Sequence, residues 1–232
     1  MRMSAWLLMG ALVLAAASTQ VFGANCAGPG ATLDEIQISS GGTTRRVALH
    51  FGTGYDGSKP RPLVLDLHAS GSSAGAQARI SGLEAAADRH GFVVAWPQGS
   101  VNLAPSNDGY YWNIPGVPLA NGAETPASAM DDTKFIDDLI TQMIDGACID
   151  SRAVFITGFS GGARMSSHLA CSLSERIAGI APVGGLRAGD SCKPRQPVAI
   201  VAFHGTDDAV NAYAGSAAPH WGYSVPVALE TW

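Results

Sequence analysis

The pentapeptide Gly158-Phe159-Ser160-Gly161-Gly162 follows the short apolar run Ala153-Val154-Phe155-Ile156-Thr157 and precedes residues 163–171, which contain neither Pro nor Gly. The β-branched run predicts a buried strand, and the segment after the pentapeptide predicts a helix. A strand, a sharp turn with serine at its apex and a helix form the context of a nucleophile elbow, because small flanking residues let the chain reverse and expose the hydroxyl. Ser160 is therefore the candidate nucleophile, and the alternative is a serine that only caps the turn or the helix.

The same Gly-x-Ser-x-Gly pattern occurs a second time, as Gly71-Ser72-Ser73-Ala74-Gly75. Ser160 lies three residues after its predicted strand, whereas Ser73 lies five residues after His68 on a longer predicted loop. The pattern by itself does not choose between the two serines, but the strand, turn and helix around Ser160 favour it.

Apolar runs and helical segments alternate along the rest of the chain. We expect strands at residues 35–39, 45–51, 63–68, 92–96, 177–183 and 198–203, and helices at residues 74–90 and 131–147. Residues 99–126 predict a long polar and aromatic loop, and such loops are usually functional. This order predicts an α/β fold in which a mostly parallel sheet carries helices on both faces.

Composition and the N-terminal segment indicate one exported globular domain. Residues 1–23 predict a signal peptide, with Arg2 before an apolar stretch at residues 6–17 that is too short for a comfortable membrane span. Residues 24–232, in a chain that is 47% hydrophobic and 14% charged, suffice for one α/β domain. The net charge of −5 offers no attraction for nucleic acid. We expect a secreted protein, extracellular or periplasmic; a lipid anchor on Cys26 is the weaker alternative.

The four cysteines are consistent with disulfides in an exported chain. They are Cys26, Cys148, Cys171 and Cys192, and none forms the close Cys-x-x-Cys pairs of a zinc site. Three pairings are open. We favour Cys171 with Cys192, because the two flank one strand and loop, which leaves Cys26 and Cys148 to pair with each other or with another partner.

Two further segments follow predicted strands and carry polar groups suited to catalysis at a serine. In His68-Ala69-Ser70-Gly71, the Ser70 amide is a candidate oxyanion donor that would act together with the Gly161 amide; the alternative is an ordinary strand-to-helix turn. In His204-Gly205-Thr206-Asp207-Asp208, one carboxylate is a candidate for orienting a catalytic imidazole. The two aspartates are adjacent and point differently, so only one can serve. Solvated turn residues are the alternative for both.

The chain resembles the secreted esterase family that contains feruloyl esterases, acetylxylan esterases and polyhydroxybutyrate depolymerases, within the α/β-hydrolase superfamily. The resemblance rests on Pro62-Leu63-Val64-Leu65-Asp66-Leu67-His68, Trp96-Pro97-Gln98-Gly99, Asp132, Phe135-Ile136-Asp137-Asp138-Leu139-Ile140, residues 152–164, Leu169-Ala170-Cys171, Ala181-Pro182-Val183 and His204-Gly205-Thr206 with Asp208. The family motif His-Gly-Thr-x-Asp falls on Asp208 rather than Asp207. One departure is Ala69, where the family usually has Gly.

The resemblance also implies where the catalytic histidine belongs. The family carries it well after the aspartate, beyond another helix and strand, whereas this chain ends at Trp232 within what is similar to the first turns of that helix. We therefore expect the last helix and strand, and the catalytic histidine, to lie beyond Trp232, and the 232 residues alone to have little activity. Among the six histidines, only His220 follows Asp208, and it is the weaker alternative.

The function implied is hydrolysis of a carboxylic ester through an acyl-enzyme on Ser160, with no metal or cofactor. The expected substrate is an aryl or acyl ester on plant-wall polysaccharide, and a polyhydroxyalkanoate is the runner-up. Tyr110, Tyr111 and Trp112 of the long loop can stack on an aromatic acyl group or a sugar, or can pack the loop down. The alternatives are a serine peptidase and a non-catalytic module that binds wall polymers.

Overall fold

The computed structural model describes Cys26 and residues 34–103, 109–187 and 192–232. The predicted signal peptide, residues 1–23, lies outside the described residues. The strands are β1 (Glu35–Ser40), β2 (Thr43–Phe51), β3 (Arg61–Leu67), β4 (Val93–Pro97), β5 (Val101–Asn102), β6 (Tyr110–Tyr111), β7 (Ile149–Phe159), β8 (Gly179–Val183) and β9 (Ala199–Ile200). The helices are α1 (Ala74–Ser81), α2 (Leu83–His90), α3 (Asp132–Gly146), α4 (Gly161–Ser172) and α5 (Val225–Thr231).

A seven-stranded sheet with the order β1-β2-β4-β3-β7-β8-β9 forms the centre of the fold. The pairs β1/β2 and β2/β4 are antiparallel, and the pairs from β4 through β3, β7 and β8 to β9 are parallel. The mostly parallel sheet is therefore confirmed. The carboxyl ends of β3, β7 and β8 lie along one edge of the sheet, where ligands bind in folds of this type.

Helices cover both faces of the sheet, as predicted. Alternate residues of β4 face opposite ways, because side chains alternate along a strand. Val93 and Ala95 pack into the cluster that contains buried residues of α3 and α4, such as Leu139. Val94 and Trp96 pack with Ala87 of α2 on the other face.

The helix predicted at residues 74–90 is divided in two by Gly82. Gly82 adopts φ +67°, a left-handed conformation that ends α1 and precedes α2. Glycine adopts this conformation at little steric cost, whereas the prediction treated the position as helix interior. Gly91 ends α2 with φ +73°, as expected. Asp131 caps α3 by accepting a hydrogen bond from Lys134 N at 2.9 Å.

A buried ion pair anchors the long loop to the sheet. Asp132, at the start of α3, accepts from Arg45 Nη1 of β2 at 2.7 Å. The same carboxylate accepts from Asn113 N at 2.8 Å and from Ser100 N at 3.2 Å, so two points of the loop are bound to it. Within that loop β5 and β6 form a short hairpin that the sequence did not predict.

Two disulfides join distant parts of the chain: Cys171–Cys192 and Cys26–Cys148. The first is the pairing favoured from the sequence. In the part of the chain that the structure describes, no helix is long and apolar enough to cross a membrane. The strand expected at residues 198–203 is regular only at Ala199–Ile200, but the chain stays beside β8: Val201 N donates to Ile180 O at 3.1 Å, and Phe203 N donates to Pro182 O at 3.0 Å.

Candidate active site

Ser160 lies at the sharp turn between β7 and α4, in a backbone conformation that few residues adopt. Its φ of +52° and ψ of −106° fall outside the regions that non-glycine residues favour. Such a conformation costs on the order of 1–3 kcal/mol and persists only where its surroundings enforce it. Ser160 N donates to Val183 O at 2.9 Å, and Ser160 O accepts from Arg164 N at 3.0 Å. The turn is therefore held from β8 on one side and from α4 on the other.

The glycines around Ser160 are required by the close approach of β3, β7 and α4. A methyl group built on Gly158 would lie 2.7 Å from Gly162 C and 2.8 Å from Leu67 O. On Gly162, a methyl group would overlap the carbonyl of Leu67. Larger residues would push the strand and the helix apart, so the motif spacing has a steric cause.

The second Gly-x-Ser-x-Gly match has a different geometry. Ser73 is the N-cap of α1, with an extended φ of −142°, and its side chain accepts from Ala76 N at 3.3 Å. Among the described residues other than glycine, only Ser160 and Cys148 have positive φ. The geometry of an elbow therefore occurs at Ser160 and not at Ser73.

The structure brings Ser70 and Gly161 together, although they are far apart in sequence. A methyl group built on Gly161 would lie 2.7 Å from Ser70 N. The Ser70 loop is held by the hairpin, because Gly71 N donates to Tyr110 O and Tyr110 N donates to Ser72 O, each at 2.8 Å. Gly161 is the first residue of α4, and amides in the first turn of a helix lack intrahelical acceptors. Two amides near Ser160 are thus suited to hold an anion.

His68 supports this loop from beneath as a neutral imidazole. Gly99 N donates to His68 Nε2 at 2.9 Å, so the ring proton is on Nδ1, which donates to Ala69 O at 2.8 Å. Burial lowers the pKa of His68 to about 4. Trp112 stacks on the ring with centroids 4.8 Å apart, and its Nε1 donates to His68 O at 2.9 Å.

The carboxylate of Asp208 lies at the same edge of the sheet, beside the end of β8. Its Oδ1 accepts from Val210 N and Asn211 N, each at 2.8 Å. Its Oδ2 lies 3.6 Å from the position of a methyl group built on Gly184. Asp207 is exposed to solvent. Of the two aspartates, Asp208 has the more fixed side chain.

No imidazole of the described residues is hydrogen-bonded to Ser160. His204 Nε2 donates to Asn211 O at 2.7 Å and lies 3.5 Å from Asp208 Oδ2, while its ring stacks on Trp221. The Nε2 atom of His220 is buried and makes no hydrogen bond to the described residues. Burial, followed by the charge of Arg164, lowers the pKa of His220.

Comparisons with known proteins give the family. A family model described as Phospholipase/Carboxylesterase matches residues 54–221. The chain belongs to this family. Feruloyl esterase B of Piromyces equi is 32% identical over 176 residues, which are 74% of this chain and 30% of that protein. Feruloyl esterase D of Neurospora crassa is 30% identical over 212 residues, which are 90% of this chain and 69% of that protein.

A solved structure shows the same fold. Acetyl xylan esterase from Aspergillus awamori superimposes with a TM-score of 0.51 at 19% sequence identity, covering 70% of this chain and 57% of that one. The fold is that of an α/β-hydrolase, as predicted from the sequence. Among the described residues, no three His, Cys, Asp or Glu side chains are grouped as ligands for a metal ion.

In this member of the phospholipase/carboxylesterase family, a pocket lies beside the Ser70 and Gly161 amides. One wall is apolar and comes from the long loop. The pocket is lined by Ser70, Trp112, Ile114, Val117, Pro118, Leu119, Ala120, Gly161 and Arg164. Trp112 is only 3% exposed, so it both borders the pocket and packs the loop down. Tyr111 is half-buried, and its hydroxyl lies 3.5 Å from the position of a methyl group built on Gly71.

Arg164 and Asn211 are two polar residues of this site that no sequence motif indicated. Arg164 is 2% exposed, and it donates to Ser70 Oγ and to Asn211 Oδ1, each at 3.0 Å. Asn211 is also buried and donates through Nδ2 to Gly184 O at 2.6 Å. The sequence feature that could have indicated Arg164 is its position: it is a charged residue four positions after Ser160, between the small residue Ala163 and the apolar residue Met165.

Proposed function

We propose that the protein hydrolyses carboxylic esters through an acyl-enzyme on Ser160. The observation that carries the proposal is the strained turn at Ser160 beside two adjoining amides, those of Ser70 and Gly161. A nucleophile exposed at a sheet edge next to paired amide donors is the arrangement that acyl transfer requires. The relatives named as feruloyl and acetyl xylan esterases support the same chemistry.

In the proposed reaction, a general base removes the Ser160 proton as Oγ attacks the ester carbonyl carbon. The carbonyl oxygen becomes an oxyanion that the Ser70 and Gly161 amides bind, and one such donor contributes roughly 3 kcal/mol. The protonated base then gives its proton to the departing alkoxide. Water, deprotonated by the same base, attacks the acyl-enzyme and releases the acid and free Ser160. Asp208 orients the base and stabilises its charged form.

The proposed substrate is an aryl or acyl ester on plant-wall polysaccharide. The apolar side chains of Trp112, Ile114, Val117 and Leu119 border the small pocket beside Ser70 and Gly161, and apolar neighbours favour an uncharged acyl group at the reaction centre. The two relatives compared above are both named feruloyl esterases, which supports this class of substrate. Parallel assays with methyl ferulate, acetylated xylan, polyhydroxybutyrate and a peptide amide separate this substrate class from the depolymerase and peptidase alternatives.

We further propose that the protein works outside the cytoplasm. Two disulfides, Cys26–Cys148 and Cys171–Cys192, link distant parts of the chain, and disulfides persist in oxidising compartments. The apolar N-terminal segment is consistent with export. Sequencing the N-terminus of the protein recovered from its source tests this proposal, and an intact Met1 would contradict it.

The nucleophile is tested with paired serine variants in the full-length natural protein. Ser160→Ala should reduce hydrolysis of p-nitrophenyl acetate by about 10³-fold or more, as loss of a triad serine does elsewhere. Ser73→Ala is the matched control, because it removes a hydroxyl from the other motif match, where Ser73 only caps α1. A fluorophosphonate probe should label the protein at Ser160 and fail to label Ser160→Ala. The reverse ranking of the two variants would reject Ser160.

A further inference from the structure

A buried guanidinium with no carboxylate partner lies beside the proposed oxyanion hole. Arg164 contacts two neutral oxygens, Ser70 Oγ and Asn211 Oδ1, each at 3.0 Å. Across residues 34–103, 109–187 and 192–232, no Asp or Glu oxygen lies within 4.0 Å of its nitrogens. Burying a guanidinium is costly unless hydrogen bonds compensate it, so the two oxygens that accept from Arg164 are part of what keeps this charge in the interior.

The contact with Arg164 determines what the Ser70 hydroxyl can do. A guanidinium only donates, so Ser70 Oγ must be the acceptor in that bond. The hydroxyl keeps its own proton, which the guanidinium cannot accept. A hydrogen-bond donor is therefore available at Ser70 in addition to the backbone amide.

The Ser70 hydroxyl lies at the proposed oxyanion hole. A methyl group built on Gly161 would overlap Ser70 Oγ and would lie 2.7 Å from Ser70 N. The hydroxyl, the Ser70 amide and Gly161 therefore border the same small space. The pocket that holds this space is also bordered by Arg164.

We propose that the Ser70 hydroxyl is a third donor of the oxyanion hole and that Arg164 is the positioning residue that orients and polarises it. This inference rests on the proposed ester hydrolysis. A charge-assisted hydrogen bond to Oγ strengthens the bond that the same hydroxyl donates, because linked hydrogen bonds polarise one another. The donor is in place before the oxyanion forms, so no reorganisation is needed during the reaction.

The other bond of Arg164 holds the guanidinium in place. Asn211 Oδ1 accepts from Nη1, while Asn211 Nδ2 donates to Gly184 O at 2.6 Å and Asn211 N donates to Asp208 Oδ1 at 2.8 Å. Arg164 therefore joins the loop of the proposed oxyanion donors to the loop of the proposed catalytic acid. Burial lowers the pKa of Arg164 to about 10, which leaves the side chain charged at neutral pH.

The test is a double-mutant cycle on Ser70 and Arg164 in the full-length natural protein. We expect Ser70→Ala and Arg164→Met each to lower kcat for p-nitrophenyl acetate by about 10- to 100-fold with KM changed less than about threefold. In the Ser70→Ala background, Arg164→Met should cost at least about fivefold less than it does in the wild type. Ser70→Thr, which keeps the hydroxyl, should restore most of the lost kcat. The number of active sites is counted by fluorophosphonate labelling, so partial unfolding does not mimic a loss of kcat.

Arg176→Met is the matched control. Arg176 is a half-buried arginine that pairs with Asp137 at 2.7 Å, away from the pocket, so its loss should leave kcat per labelled site unchanged. An unchanged kcat in Ser70→Ala would overturn the third donor, and equal losses from Arg164→Met in both backgrounds would overturn its action through Ser70. If the wild-type protein neither turns over esters nor is labelled at Ser160, the proposed function has failed, and the oxyanion role of Ser70 fails with it.

Discussion

Single residues at the sheet edge show why particular residue types are required. Ser160 is held at φ +52°, and its neighbour Gly161 has no room for a side chain against Ser70. Asp208 has both its position and its orientation determined by backbone amides, whereas Asp207 is exposed. Each requirement is local, so a single substitution is enough to test it.

Gly161→Ala should abolish most esterase activity in the full-length natural protein while leaving the fold in place. The added methyl group would lie 2.7 Å from Ser70 N, so the two amides would have to separate. We expect kcat to fall by about 100-fold or more, since one misplaced oxyanion donor already costs about that much. The measurement is kcat together with the thermal midpoint by circular dichroism.

Gly75→Ala is the control for that substitution. Gly75 belongs to the other motif match, lies on α1, and a methyl group there would meet nothing nearer than 3.5 Å. Activity should be unchanged, and stability should rise by less than about 1 kcal/mol, because alanine favours helix over glycine and Gly75 lies in the first turn of α1. Equal activity in both variants would contradict the crowded oxyanion site.

Asp208→Asn should reduce kcat far more than Asp207→Asn. An amide in place of the catalytic carboxylate favours the wrong tautomer of the base and does not stabilise its charged form. We expect a loss of about 10³-fold or more at position 208 and less than about threefold at position 207, measured as turnover of p-nitrophenyl acetate in the full-length natural protein. A larger loss at position 207 would remove the assignment that came from the family motif.

At the scale of elements, several segments that meet at the end of β3 together hold one side chain, that of His68, in place. His68 receives a hydrogen bond from Gly99, stacks on Trp112 from the long loop and donates to Ala69 in its own loop. The ring supports the loop that carries Ser70. The packing of β3, β4 and the long loop around the imidazole therefore determines its protonation state.

Protonation of His68 should destabilise the protein at mildly acidic pH. Its pKa is about 4 in the folded protein, below the ordinary 6.5, so the unfolded chain binds the proton more readily between these values. The contribution of His68 to the free energy of unfolding is fully present above pH 6.5. It decreases as the pH falls toward 4, by about 3 kcal/mol in total. NMR titration of the imidazole should place its pKa well below 6, with urea unfolding at several pH values measuring the loss. An imidazole that titrates near 6.5 would refute the buried neutral ring.

At the scale of the whole molecule, one face of the sheet exposes large apolar side chains to solvent. Val154 and Ile156 of β7 are buried toward α3 and α4, whereas Phe155 and Phe159 on the opposite face are 38% and 45% exposed. Phe203, beside the end of β8, is 55% exposed. Exposed apolar side chains on one face of a sheet favour association with other surfaces.

The 232 residues expressed by themselves should show little turnover that depends on Ser160 and should associate in solution. No imidazole of the described residues is hydrogen-bonded to Ser160, and a serine hydroxyl without a positioned base is a weak nucleophile near neutral pH. The apolar face should also bind a fluorescent hydrophobic dye and produce oligomers in size-exclusion chromatography. Turnover and soluble mass are compared between this chain and its Ser160→Ala variant. Activity that Ser160→Ala and His220→Ala both abolish would instead identify His220 as the base.

The sequence by itself determined the order of elements and the elbow, because both depend on local patterns. Apolar runs mark β3, β4, β7 and β8, and the glycines of the Gly158–Gly162 motif mark the sharp turn after β7. The break at Gly82 escaped prediction because a glycine inside a helical pattern is compatible with either an unbroken helix or a left-handed turn. The short hairpin of β5 and β6 escaped because two-residue strands have no measurable periodicity.

Only the tertiary structure decided which distant groups meet. The approach of Ser70 to Gly161, the contact of Arg164 with Ser70 and Asn211, and the anchoring of the long loop on Asp132 each join residues more than 15 positions apart. Such contacts depend on strand order and on helix position across the sheet, which a local pattern does not specify. Arg164 in particular follows the elbow as one more polar residue in the sequence, and only the packing of α4 against the Ser70 and Asn211 loops buries its charge beside the proposed oxyanion hole.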